Sequence, residues 1–200
     1  MKNTLLVLFV FLLSNLAFAQ TKESIAFQKS YEYEYNLDYT KAISSLASVY
    51  SSDSYAQNLR LGWLNYMNAD YIKSKTYYEN AIKANPKSIE ARLGLANPLA
   101  ALQNWDEVIR LYEEILKMSE NHFVTNYRLA YIYYDKKKFE KANEYASKVA
   151  VFYPFNYENN LLLGKINISL GNITIAKAYL NLALNYSPDS EEVIALLKVL

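Results

Sequence analysis

From residue 59 onward, small and large apolar positions recur in a fixed register. LRLGWLNYMNADYIKSKTYYENAIKANP (59–86) carries a Leu-Gly pair near its start, Ala81-Ile82 near its end, and Pro86 five residues after that Ala. LLLGKINISLGNITIAKAYLNLALNYSP (161–188) repeats the scheme with Leu163-Gly164, Ala183-Leu184 and Pro188. Between them, LAYIYYDKKKFEKANEYASKVAVFYP (129–154) has Leu129-Ala130, Phe139, Ala142, Val149 and Pro154. Pro86, Pro154 and Pro188 are 68 and 34 residues apart, so the spacing encodes a 34-residue period. Within a unit the periodicity is helical. At about 100° per residue, Asn126, Leu129, Ala130 and Tyr133 share one face of 123–135. Tyr127, Tyr131 and Tyr134 share another, with Val124. Each unit then reads as two antiparallel helices, A and B. Small residues such as Gly62, Ala130 and Gly164 permit close approach, and Leu61, Leu129 and Leu163 fill between. Helix B stops before the proline, which disfavours helix in the residue preceding it.

Five units follow, at about 23–54, 55–88, 89–122, 123–156 and 157–190. The third has Leu95-Ala96 but Glu120 where other units have proline, and the first is short and degenerate, as end units of a stack are. Residues 191–200 read as one further helix, a cap. This pattern resembles the tetratricopeptide repeat family over essentially the whole chain after residue 19. The resemblance implies an all-α fold, a superhelical α-α solenoid of about five helix-turn-helix repeats with a C-terminal capping helix. It also implies that the A helices line a concave groove.

In that register the groove-facing positions are Phe27, Tyr31, Glu34 and Tyr35 in the first unit, then Leu59, Trp63, Tyr66 and Met67 in the second. The third contributes Leu93, Asn97 and Ala100, the fourth Tyr127, Tyr131 and Tyr134, and the fifth Leu161, Lys165 and Ile168. Tyr and Trp offer large rigid contact area with a polar handle. The expected ligand-binding residues are therefore Tyr31, Tyr35, Trp63, Tyr66, Asn97, Tyr127, Tyr131 and Tyr134; Tyr133 belongs to the core. The alternative for the same aromatics is packing between successive A helices. One well-known surface of the family clamps a C-terminal carboxylate with Lys and Asn. Here the equivalent positions carry Phe27, Tyr31, Leu59, Trp63 and Leu93, and that pattern is absent.

Composition narrows the choice of chemistry. With 21 Lys and Arg against 20 Asp and Glu there is no basic excess to attract nucleic acid. No cysteine is present, which excludes disulfides, thiolate metal sites and a cysteine nucleophile, and the single His122 cannot build a multi-histidine metal site. His122 reads as a surface or helix-start residue. No Gly-rich phosphate loop, nucleophile elbow or HExxH motif occurs. The expectation is no enzyme, cofactor or metal.

The first residues, MKNTLLVLFVFLLSNLAFAQ, carry Lys2, an apolar run from Leu5 to Leu13 and a small-x-small Ala17-Phe18-Ala19. They read as a signal peptide over 1–19, with a mature domain from Gln20 to Leu200. The run is too short for an ordinary membrane span. Cleavage removes Lys2 alone among the charges and leaves a formally neutral chain. The expectation is an exported protein, periplasmic or secreted, most consistent with a bacterial envelope.

Two local features call for a decision. Pro98, inside helix A of the third unit, removes a backbone donor and crowds the Gly94 carbonyl, which predicts a kink or loose turn over 94–97. Lys136-Lys137-Lys138 falls at the turn between helices of the fourth unit, the usual place for solvated charge. The leading reading is a scaffold or adaptor that binds a peptide segment or helix of a partner protein in an aromatic groove. The alternatives are a carbohydrate-binding envelope module, with Asn97 and Asn65 as hydrogen-bonding groups, and a structural protein that self-assembles through its C-terminal cap.

Overall fold

In the computed structural model, residues 21–200 are described; the leader-like segment 1–19 and Gln20 lie outside them. Eleven α-helices and no strand occur among the described residues. They are α1 (Lys22–Tyr35), α2 (Tyr39–Ala47), α3 (Tyr55–Met67), α4 (Tyr71–Ala84), α5 (Ile89–Ala101), α6 (Trp105–Met118), α7 (Phe123–Asp135), α8 (Phe139–Phe152), α9 (Tyr157–Ser169), α10 (Ile173–Tyr186) and α11 (Glu191–Val199). Odd-numbered helices up to α9 occupy the A position and even-numbered ones the B position. By packing, the chain divides after Pro98, inside α5, into a first unit and a second unit, Leu99–Leu200.

The period visible in the sequence is a packing period. In the first unit Ala26, Ala42, Leu46, Leu61 and Leu64 form a buried cluster. In the second, Leu161, Leu180, Ala183 and Val193 do so, and Leu196 and Leu197 of α11 pack against them. Glycines stand where a side chain would collide. A Cβ on Gly62 would lie 2.9 Å from the buried Tyr78 ring, and one on Gly94 would lie 2.2 Å from it. On Gly164 it would meet the Leu180 Cδ2 atom at 2.5 Å. Tyr133 is buried, as expected of a core position, and stacks on Tyr145 with centroids 5.6 Å apart.

The turns are periodic as well. Each A-to-B turn contains one left-handed residue at the same register position: Leu37, Ala69, Gln103, Lys137 and Gly171, with φ between 56° and 76°. Only the last is glycine, which adopts this conformation without a Cβ penalty. The residue that follows closes the turn by donating to a carbonyl five residues back, as Asp70 N–H does to Asn65 O at 2.9 Å. Buried asparagines tie each A helix to the loop before it. Asn58, Asn126 and Asn160 donate through Nδ2 to the carbonyls of Ser52, Glu120 and Pro154 at 2.7–2.9 Å. Neighbouring repeats are joined by hydroxyl pairs: Tyr55 to Ser88 at 2.8 Å and Tyr157 to Ser190 at 2.7 Å.

One local expectation is overturned. Residues 94–97 are helical and α5 runs unbroken from Ile89 to Ala101 through Pro98. Burial of Leu95, Ala96 and Leu99, and of Pro98 itself, holds the helix in place despite the missing donor. The loose turn is therefore not formed. His122 is the N-cap of α7, where its side chain accepts the Thr125 backbone N–H. Lys136 pairs with Asp106 at 3.7 Å, and Lys137 supplies the left-handed turn residue.

Candidate binding site

In the first unit, the groove-facing residues of α1 and α3 are joined by a buried ion pair. Arg60, only 7 % exposed, enters α3 one turn before Trp63. Its Nε donates to Ser30 Oγ at 2.9 Å and its Nη1 to Glu34 Oε2 at 2.5 Å. The guanidinium lies over the Tyr31 ring, 3.8 Å from the centroid, a cation–π geometry. The other Glu34 oxygen accepts from the Trp63 indole N–H. Tyr66 sits half-buried between Trp63 and Tyr71, with centroids 6.0 and 5.8 Å away. Three expected site residues, Tyr31, Trp63 and Tyr66, are thus brought together, but around a cation the chain supplies itself. Tyr35 projects from the end of α1 at 88 % exposure. Asn97 is half-buried on α5.

In the second unit, Tyr127, Tyr131 and Tyr134 of α7 face Tyr157, Glu158, Leu161, Leu162 and Lys165 of α9 across a cavity of about 150 Å³. The helical spacing i, i+4, i+7 places the tyrosines in a row. Tyr127 is held by stacking on Phe123, and Tyr134 packs on Phe139 at 5.7 Å. Tyr131 is half exposed. Burial, with smaller contributions from the Glu158 and Tyr131 charges, keeps the Tyr127 hydroxyl above its ordinary range, so it stays protonated. Lys165 is neutralised by Glu192 of α11 at 2.5 Å. Glu158 accepts only from Asn156 Nδ2, at 3.1 Å, and has no cation partner among the described residues.

Known proteins share the fold that carries these residues. Residues 124–150 and 157–190 match the tetratricopeptide repeat family model. No curated protein matches the sequence. The crystal structure of a tetratricopeptide repeat protein from Parabacteroides merdae ATCC 43184 is similar, with 16% identity, a TM-score of 0.76, 88% of this chain covered and 70% of that one. MamA from Desulfovibrio magneticus RS-1 is similar at 14% identity and a TM-score of 0.73, over 86% of this chain and 98% of that one. The fold is that of the tetratricopeptide repeat proteins. At such identities the likeness carries the architecture alone.

Within that fold, reading the sequence by register found the tyrosine row of α7 and missed what completes each site. Arg60 went unnoticed because it stands one position outside the expected groove register. Its signal was a lone basic residue between Leu59 and Leu61 on an otherwise apolar face. Glu158 and Tyr157 were missed as well. Their signal was spacing: Glu158 lies three residues before Leu161 and seven before Lys165, on the same helix face.

Proposed function

We propose that the chain is a non-enzymatic interaction scaffold of the cell envelope, which holds a peptide segment or helix of a partner protein against the tyrosine row of α7. Tetratricopeptide repeat solenoids serve as protein-interaction scaffolds, and that general role follows from the fold. The observation that carries the finer reading is the cavity in the second unit. Three tyrosines in line, preorganised by Phe123 and Phe139, face a wall of α9 that carries Leu161 and Leu162 across about 150 Å³. Preorganised aromatic surface binds with little ordering cost. The volume decides the kind of occupant. Pockets for whole small ligands start at roughly 300 Å³, whereas about half of that takes one large side chain of a longer segment. The envelope placement rests on the leader-like residues 1–19. Among the described residues no helix is long and apolar enough to cross a membrane.

The test is affinity retention from an envelope extract by the chain starting at Gln20, compared with a Tyr127→Ala, Tyr131→Ala, Tyr134→Ala variant of unchanged helicity and melting temperature. A protein retained by the first and lost by the second is the expected result. Retention of the same proteins by both would show that the tyrosines only pack.

A further inference from the structure

The two units place different groups at equivalent register positions, and one explains the other. Tyr31 and Tyr131 occupy the same position of two A helices, α1 and α7. In the first unit the ring of Tyr31 is covered by the Arg60 guanidinium, which Glu34 neutralises. In the second unit the position of Arg60 is taken by Leu162, and among the described residues no cation covers Tyr131, which is half exposed. A carboxylate is nevertheless present at the cavity wall, supplied by Glu158 from α9. With Lys165 paired to Glu192, Glu158 is the one uncompensated charge lining the cavity.

We infer that the cavity of the second unit receives a basic side chain, an arginine of the partner segment, with its guanidinium on the Tyr131 face and its charge met by Glu158. This rests on the scaffold reading above and names the chemistry of its occupant. The first unit shows that this tyrosine position, with a carboxylate nearby, holds a guanidinium, although there the carboxylate comes from the tyrosine's own helix. An aromatic wall favours a cation over a neutral group of the same shape, and a carboxylate at the cavity rim adds to that preference. Arginine suits the site better than lysine because its flat guanidinium stacks on a ring while donating sideways.

The probe is N-acetyl-arginine amide, with the citrulline analogue as its neutral isostere, titrated into the intact chain and followed by the ring signals of labelled tyrosines. Arginine should shift Tyr127, Tyr131 and Tyr134 with an affinity about five- to tenfold above citrulline. Glu158→Gln, at an exposed position that leaves the fold intact, should remove that difference. Leu162→Arg should fill the cavity from within and abolish the shifts. The lysine analogue should fall between the two. Equal shifts from arginine and citrulline, no shifts from either, or an unchanged preference in Glu158→Gln would each overturn the inference. The scaffold reading is judged separately: a partner lost by the tyrosine variant but retained by Glu158→Gln leaves that reading standing and sinks only the basic side chain.

Discussion

In the first unit an arginine of the chain lies on a groove tyrosine, and in the second the groove tyrosines face a cavity. In the first, Arg60 lies on Tyr31 and is pinned by Ser30 and Glu34, and Glu34 also accepts from the Trp63 indole N–H, so two aromatics that read as a recognition surface are engaged by a cation–carboxylate pair of the chain itself. In the second, the same register presents three tyrosines to a cavity, with one carboxylate unpaired. One scaffold thus sets the same residue class against its own cation at one place and against a cavity at another. One position that separates them is arginine in α3 and leucine in α9.

The largest test of this contrast is the carboxylate at each site. Glu34→Ala leaves Arg60 buried without its counter-charge and should destabilise the protein by about 3 kcal/mol, read as the urea midpoint. Glu158→Ala removes a solvated charge and should change stability by less than about 0.5 kcal/mol. Equal losses would erase the distinction between the two sites. Next come the glycines. Gly94→Ala pushes a methyl into the rim of the Tyr78 ring, buried and unable to retreat, and should cost about 2 kcal/mol. Gly164→Ala meets the end of Leu180, which can rotate, and should cost clearly less in the same denaturation assay.

A smaller effect should be shared by both units. Leu37→Gly and Lys137→Gly each relieve a left-handed non-glycine residue and should stabilise by about 1 kcal/mol, seen as a raised melting temperature. The smallest effect belongs to the second unit. His122 caps α7 as a neutral acceptor, and burial lowers its pKa below the ordinary value. The unfolded chain therefore takes up the proton first as pH falls. Stability should be constant above about pH 7, and decline as pH drops through the unfolded value near 6.5. His122→Asn should cap the helix without that step. The lowered carboxyl pKa values of Asp38 and Asp70, held by Lys41 and Lys73, act in a separate window below about pH 4.

The repeat was legible because its signals are local and recur. Small residues at helix contacts and prolines after helix B are dictated by sterics wherever the unit is built. The α7 tyrosines were legible for the same reason, since one helix fixes their common face. The Arg60–Glu34 pair joins residues 26 positions apart in different repeats, and nothing in either residue's neighbours announces it. The left-handed turns are hidden behind Leu, Ala, Gln and Lys, because hydrogen bonds of the surrounding turn impose a conformation these residues do not prefer. Pro98 misled in the opposite direction: a local helix-breaking rule was outweighed by burial on both sides of it.

The last helix sets the mechanical state of the cavity. Tyr157 and Lys165 both line it, and both are anchored on the α11 segment, to Ser190 and to Glu192. Only Val193 of α11 is buried, against eight residues of α9, so α11 opens more readily than the helix it covers. Each time α11 detaches, two residues of the cavity wall lose their tethers together. Occupancy of the cavity and hydrogen-exchange protection of α11 are thereby coupled, so a bound segment would slow amide exchange in a helix it never touches.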